Sequence, residues 1–151
     1  MKLTRNFTLQ ELVVSSKFPN LVKDVHVPDN VKWNLFKLCR IILQNIRDQV
    51  DKPLNITSGY RPPALNLAVG GRSSSQHCFG EAVDYNIITN GILDQEAMIK
   101  AVAFTKAHLS FAIGEHIVYR NPQGLITHIH LSLPDHRFYS KFTEQEEKHL
   151  G

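Results

Sequence analysis

Hydrophobic positions along this chain follow two periods, and the changes between them mark its elements. Val31, Leu35, Leu38, Ile42, Ile46 and Val50 recur every three or four residues, the repeat of one buried helix face. The run begins after Pro28-Asp29 and stops before Pro53, which predicts a long amphipathic helix. A second helix is predicted over residues 94–107. Near the N-terminus, Thr8 and Glu11 have capping-box spacing, with Phe7 and Leu12 set as a hydrophobic staple, predicting a short helix to about Ser16. Elsewhere the period is two. Leu54 to Thr57 reads as a strand, followed by a turn at Ser58-Gly59 and a brief helix from Pro62-Pro63. From Ala82 to Ile88, Val83, Tyr85 and Ile87 share one face while Asp84 and Asn86 take the other. His116 to Tyr119 and Ile126 to Leu133 form two further strands around a turn at Asn121-Pro122-Gln123-Gly124. Between these elements, GGRSSSQHCFG at 70–80 is too rich in Gly and Ser for regular structure. The expectation is one α+β domain over residues 1–151, a small antiparallel sheet packed against α-helices. A polar tail follows from about residue 134, where Glu144, Glu146 and Glu147 near Lys148 read as a solvated short helix or a disordered end.

Composition narrows the picture without naming a function. With 151 residues, 42% of them hydrophobic, the chain can build a real core, which excludes disorder. A net charge of +3 favours anionic surfaces but is too small to mark a nucleic-acid binder. No apolar run approaches the roughly 20 residues of a membrane span. Thr4, Asn6, Thr8, Gln10 and Glu11 interrupt the stretch after Lys2 and Arg5, so no signal peptide is read. Cys39 and Cys78 form no CxxC pair, and two reduced thiols are expected.

The chemistry concentrates in two places. In the last predicted strand, Ile129, Leu131 and Leu133 point one way and His128, His130 and Ser132 the other. Taken alone, such histidines are ordinary solvated side chains. They gain meaning beside His77, on a loop ended by Gly80, and Asp84, on the strand that follows. Two imidazoles and one carboxylate, from His77, Asp84 and His130, make a three-ligand zinc set with a fourth position left for water, the arrangement of a catalytic site. A single carboxylate leaves the centre positive, able to acidify water toward a pKa of about 7 and to polarise a carbonyl. Metal-assisted hydrolysis follows.

Ser58-Gly59-Tyr60-Arg61, Asn66, Gly70-Gly71 and the SxHxxGxAxD pattern from Ser75 to Asp84 resemble the zinc D-alanyl-D-alanine carboxypeptidase family, which includes phage L-alanyl-D-glutamate endopeptidases. The resemblance takes in the opening FTLQELVVSS, the long helix and the HIHLS strand, and so spans most of residues 7–133. It implies one Zn2+ ion on His77, Asp84 and His130, with Arg61 binding a substrate carboxylate or carbonyl, a task suited to the fixed fork of donors on a guanidinium. It further implies hydrolysis of an amide bond in the stem peptide of bacterial peptidoglycan, by a D,D-carboxypeptidase or an L-alanyl-D-glutamate endopeptidase. Small size and the lack of an export signal or a separate wall-binding module fit a viral lysin. Such a protein is made in the cytoplasm and acts at the wall after release by another factor, or is carried in a virion. A monomer without nucleic-acid or membrane partners is expected.

One part of the family pattern is missing. Hydrolysis at such a centre uses a carboxylate to take and return a proton. The family places that acid close before the final His, yet residues 124–130 contain neither Asp nor Glu. Glu115 is the nearest candidate. Alternation sets it opposite His116, Val118 and Arg120, so it is expected to serve only through a bulge or a later strand start, the alternative being an ion pair with a neighbouring Lys or Arg. His128 faces the site as a spare ligand, a transition-state hydrogen-bond donor or a wall residue, with the last two preferred because three ligands suffice. Either His116 or His128 could carry protons in place of the carboxylate. Ser75, a substrate-binding candidate, and Gln76 hold the loop rather than react, and Cys78 packs. His26, His108, His136 and His149 receive no role. A second hypothesis keeps the zinc and the fold without turnover, as a wall-binding or virion structural module; a third is a metal-free scaffold.

Overall fold

The structure, a computed structural model, describes residues 1–146. The fold is α+β. The predicted long helix is continuous from Asp29 to Val50 but contains three segments: α1 (Asp29–Lys37), a π-helical turn (Leu38–Leu43) and α2 (Gln44–Val50). The wider turn brings Leu38, Cys39, Ile42 and Leu43 inward together, all four with no exposed surface. They join Val31, Leu35, Ile46 and Val50 against Val83, Tyr85 and Ile87 and against Ile129 and Leu131, in one hydrophobic cluster. Each large aliphatic chain buried this way contributes about 1.5–3 kcal/mol. The second predicted helix is α4 (Gln95–His108), capped by the Asp94 carboxylate accepting from the Ala97 N–H at 3.0 Å.

The main sheet has five strands in the order β3 (Asn55–Ser58), β4 (Ala82–Asn86), β8 (Ile126–Ser132), β7 (Glu115–Arg120), β9 (Lys141–Glu146). The first four pair antiparallel. Register decides the site: Asp84 lies opposite His130, Ile117 opposite His130 on its other side, and Tyr119 opposite His128. Helix α3 (Pro63–Ala68) and a small hairpin of β5 (Ile88–Thr89) and β6 (Ile92–Leu93) complete the connections.

Both ends of the chain depart from expectation. The capping box forms, with the Thr8 N–H donating to Glu11 Oε1 at 3.2 Å and the Glu11 N–H to Thr8 Oγ1 at 3.3 Å. However, it starts only a 3₁₀ turn, Gln10–Leu12, rather than a helix to Ser16. Tertiary bonds win over local preference: the Tyr60 N–H donates to the Leu12 carbonyl at 2.8 Å and the Ser16 N–H to Thr57 at 3.2 Å, pulling the chain straight along β3. Ahead of it, β1 (Lys2–Thr4) and β2 (Phe7–Thr8) form a hairpin. At the other end, the supposed solvated helix or disordered tail is instead β9 over Lys141–Glu146, which makes the sheet mixed because β9 runs parallel to β7. Phe142 anchors it against His116, ring centroids 4.9 Å apart, and Glu144 bonds Arg120 at 2.9 Å. Glu147 and Lys148 lie outside the described residues. No helix among those described is long and apolar enough to cross a membrane, and Cys39 and Cys78 are free thiols.

Candidate metal centre

Three elements fix three side chains. Gly59 follows β3 so closely against the N-terminal segment that a Cβ there would sit 2.0 Å from the Leu12 carbonyl oxygen. Its own carbonyl is thereby aimed at His77. The Gly/Ser-rich loop is tied down by Asn66, whose Nδ2 donates to the carbonyls of Gly71 and Arg72 at 3.3 and 3.0 Å. It then enters a 3₁₀ turn, Gln76–Phe79, capped by Ser75 Oγ accepting from the His77 N–H at 3.3 Å. Gln76 is buried and donates to the Leu133 carbonyl at 2.7 Å. Gly80, at φ +72°, closes the turn where a side chain would strike Val31. Ser75 and Gln76 therefore hold the loop.

The donors converge. His77 is 3% exposed, with Nδ1 2.8 Å from the Gly59 carbonyl oxygen. A carbonyl only accepts, so Nδ1 carries the proton and the Nε2 lone pair faces Asp84 Oδ1 at 3.5 Å. From the facing strand, His130 Nδ1 lies 2.8 Å from the same oxygen. The three donor atoms all fall within 4.8 Å of one another. Tetrahedral zinc with bonds of 2.0–2.2 Å sets its ligand atoms about 3.4 Å apart. The His77–Asp84 pair already has that spacing, and the His130–Asp84 pair needs an opening of about half an ångström. Donor chemistry and spacing therefore fit a zinc ion.

The family model for peptidase M15 matches residues 5–118 of this chain. The chain belongs to the peptidase M15 family. The members of that family are zinc peptidases, which agrees with the donor set. The matched span contains His77, Asp84, Arg61 and Glu115 and ends before His130. No curated protein matches the chain.

Electrostatics distinguish the two imidazoles of this M15 peptidase. Burial lowers the pKa of His77, partly offset by Asp84, so this ring is neutral with its lone pair presented. Burial also works against a charged His130, but hydrogen bonds to Asp84 and Glu115 outweigh it and raise its pKa to about 9. Asp84 is held well below the usual carboxylate range: the adjacent imidazoles and their hydrogen bonds overcome the cost of burial.

Around the donors lie two clefts. One, of 370 Å³, is lined by Asp84, Arg61, Thr127 and His128; the other, of 390 Å³, by His130, Glu115, Ser75, Arg72 and Tyr119. Arg61 and His128 thus share the Asp84 side, and the His128 ring stacks on Tyr119 with centroids 4.3 Å apart and planes 8° apart. Glu115 reaches the site by a different route from the one predicted. The expected alternation holds, but the site lies on the other face of β7: Glu115, Ile117 and Tyr119 are the residues on the His130 side, so neither a bulge nor a later start is needed. Its Oε1 lies 3.2 Å from His130 Nε2, the ring edge remote from Asp84, and that hydrogen bond lowers the carboxyl pKa against the effect of burial. His116 takes the opposite face. It is fully buried, neither ring nitrogen has a hydrogen-bond partner among the described residues, and it cannot carry protons at the site. The Gly59 carbonyl and Tyr119 went unpredicted, because one depends on a tertiary approach and the other on strand register.

Proposed function

We propose that this M15 peptidase hydrolyses an amide bond in the stem peptide of bacterial peptidoglycan, with a single Zn2+ held by His77 Nε2, Asp84 Oδ1 and His130 Nδ1. The observation that carries this reading is the convergence of those three atoms beside a cleft lined by Arg61. When bound, zinc supplies Lewis acidity, which activates water as a nucleophile near neutral pH and polarises a carbonyl oxygen. The side chains supply the rest. Arg61 offers paired N–H donors to a substrate carboxylate or carbonyl and so orients the peptide. His128, braced by Tyr119 on the wall of the same cleft, donates a hydrogen bond to charge developing on oxygen. With Asp84 on one cleft and His130 on the other, there is room for residues on both sides of the bond being cut, which favours the endopeptidase type over the carboxypeptidase type. The motifs shared with phage endopeptidases support a lysin, and the net charge of +3 aids approach to an anionic wall in a salt-sensitive way.

Purified, zinc-loaded protein incubated with cell walls should release peptides with new amino termini. His77→Ala should release none, and Arg61→Ala should retain zinc while losing most of its turnover. Absence of any new terminus with zinc at full occupancy refutes the enzyme reading and leaves a zinc-holding module.

A further inference from the structure

Glu115 stands in an unusual relation to the donor set. It does not face the space between Asp84 and the imidazoles; its Oε1 is 3.2 Å from His130 Nε2, while Nδ1 of the same ring is 2.8 Å from Asp84. An imidazole has two nitrogens, and a neutral ring carries one proton. If Nδ1 gives its lone pair to a metal, the proton must sit on Nε2, and a carboxylate accepting from Nε2–H is the partner that holds it there. Glu115 is itself well seated. Its backbone N–H donates to Ser132 Oγ at 2.8 Å, across the ladder from the His130 strand, and Lys141 of β9 pairs with it on the other side. Its side chain is 19% exposed, and that of His130 is 13%.

We infer that Glu115 is a positioning residue, which fixes the tautomer and ring direction of His130 so that Nδ1 is presented to the metal, and is not the group that exchanges a proton with substrate. This rests on the metal-site reading above. It makes the first strand of the β7–β8 hairpin, and the C-terminal strand beside it, part of the metal-binding apparatus.

Zinc affinity tests it directly, by chelator competition on the full-length protein, with turnover measured separately at saturating zinc. Outer partners of metal-bound histidines typically contribute 10- to 100-fold in affinity, so Glu115→Ala should weaken zinc binding by about that factor. Glu115→Gln, whose amide oxygen also accepts from Nε2–H, should bind zinc nearly as tightly as wild type. In a His130→Ala background, adding Glu115→Ala should cost nothing further, because its partner is gone. Thermal melts of the zinc-free variants identify any that fail to fold. Equal zinc affinity in wild type and folded Glu115→Ala overturns the inference. So does a Glu115→Gln protein that keeps wild-type zinc affinity but loses about 10²- to 10⁴-fold in turnover, the mark of a proton-transferring acid. Failure of the metal site itself reads differently: wild type and His130→Ala would then bind zinc alike.

Discussion

His116 gives a sharp measure of how firmly the sheet separates core from site. The residue has no exposed surface, packs on Phe142, and has both ring nitrogens without hydrogen-bond partners among the described residues. Burial, reinforced by Lys106 and His130, lowers its pKa from 6.5 to about 4. The folded protein therefore resists a proton that the unfolded chain accepts. Above pH 6.5 neither state is protonated and His116 adds no pH dependence. Between pH 6.5 and about 4 the unfolded state binds one proton more, so stability falls as the pH drops. Two and a half pH units, at about 1.4 kcal/mol each, come to about 3.5 kcal/mol in full, of which about 3 kcal/mol is expressed by pH 4, where the folded-state ring is half-protonated.

The perturbation is His116→Leu, close in size and without a titrating group. Urea unfolding of zinc-free wild type and variant at intervals from pH 7.5 to 4 isolates the residue, since Asp84, His130 and the surface carboxylates contribute equally to both. The stability of the variant relative to wild type should rise by about 3 kcal/mol over that range, with almost all of the change below pH 6.5. At neutral pH the variant should keep the zinc affinity and the peptidase turnover of wild type, because the ring faces away from the donors. Parallel pH profiles for the two proteins would mean that His116 meets solvent or a partner in the folded state, and would reopen its role as a proton carrier.

Two other perturbations probe the scaffold and the ion. Gly59→Ala places a Cβ 2.0 Å from the Leu12 carbonyl, so the backbone must move; a loss of about 1–3 kcal/mol in thermal unfolding is expected, together with weaker zinc binding as the carbonyl that holds His77 shifts. Zinc at a thousand times its Kd should stabilise the protein by about 4 kcal/mol, measured as a shift of the unfolding midpoint with and without chelator, and Asp84→Asn should abolish most of that shift.

The donor set was readable because it rides on alternation. Val83 and Tyr85 bracket Asp84, and Ile129 and Leu131 bracket His130, so a buried face announces its polar opposite within five residues of sequence. The loop donor was marked by the glycine that ends its turn. What could not be read was anything set by contacts distant in the chain. The N-terminal segment contains a capping box that forms, yet the helix fails because Tyr60 and Thr57 claim its backbone groups. Strand β9 has one half-buried apolar anchor, Phe142, among polar residues, and its remaining hydrogen bonds come from a β7 edge that no local pattern reveals. The misassigned face of Glu115 has the same origin: alternation gives two faces, but only the pairing of Ile117 with His130 says which of them meets the histidines.

Core and site are therefore one constraint. The apolar faces of β4 and β8 hold their register, since a slip of one residue would turn Val83, Tyr85, Ile129 and Leu131 out to solvent and drive Asp84 and His130 into the core. At about 1.5–3 kcal/mol for each of these four side chains, such a slip costs about 6–12 kcal/mol, as much as the whole stability of a typical domain. The same register that protects the core sets Asp84 against His130, stacks Tyr119 on His128 and brings Glu115 beneath Nε2. Only His77 stands outside this arrangement, and it is held instead by a glycine carbonyl, a serine cap and a left-handed glycine. The two candidate ligands on strands inherit their precision from hydrophobic burial, whereas the candidate on the loop requires its own set of polar restraints. Four of the chain's eight glycines, and the Asn66, Ser75 and Gln76 side chains that tie down the loop, accordingly fall between residues 58 and 80.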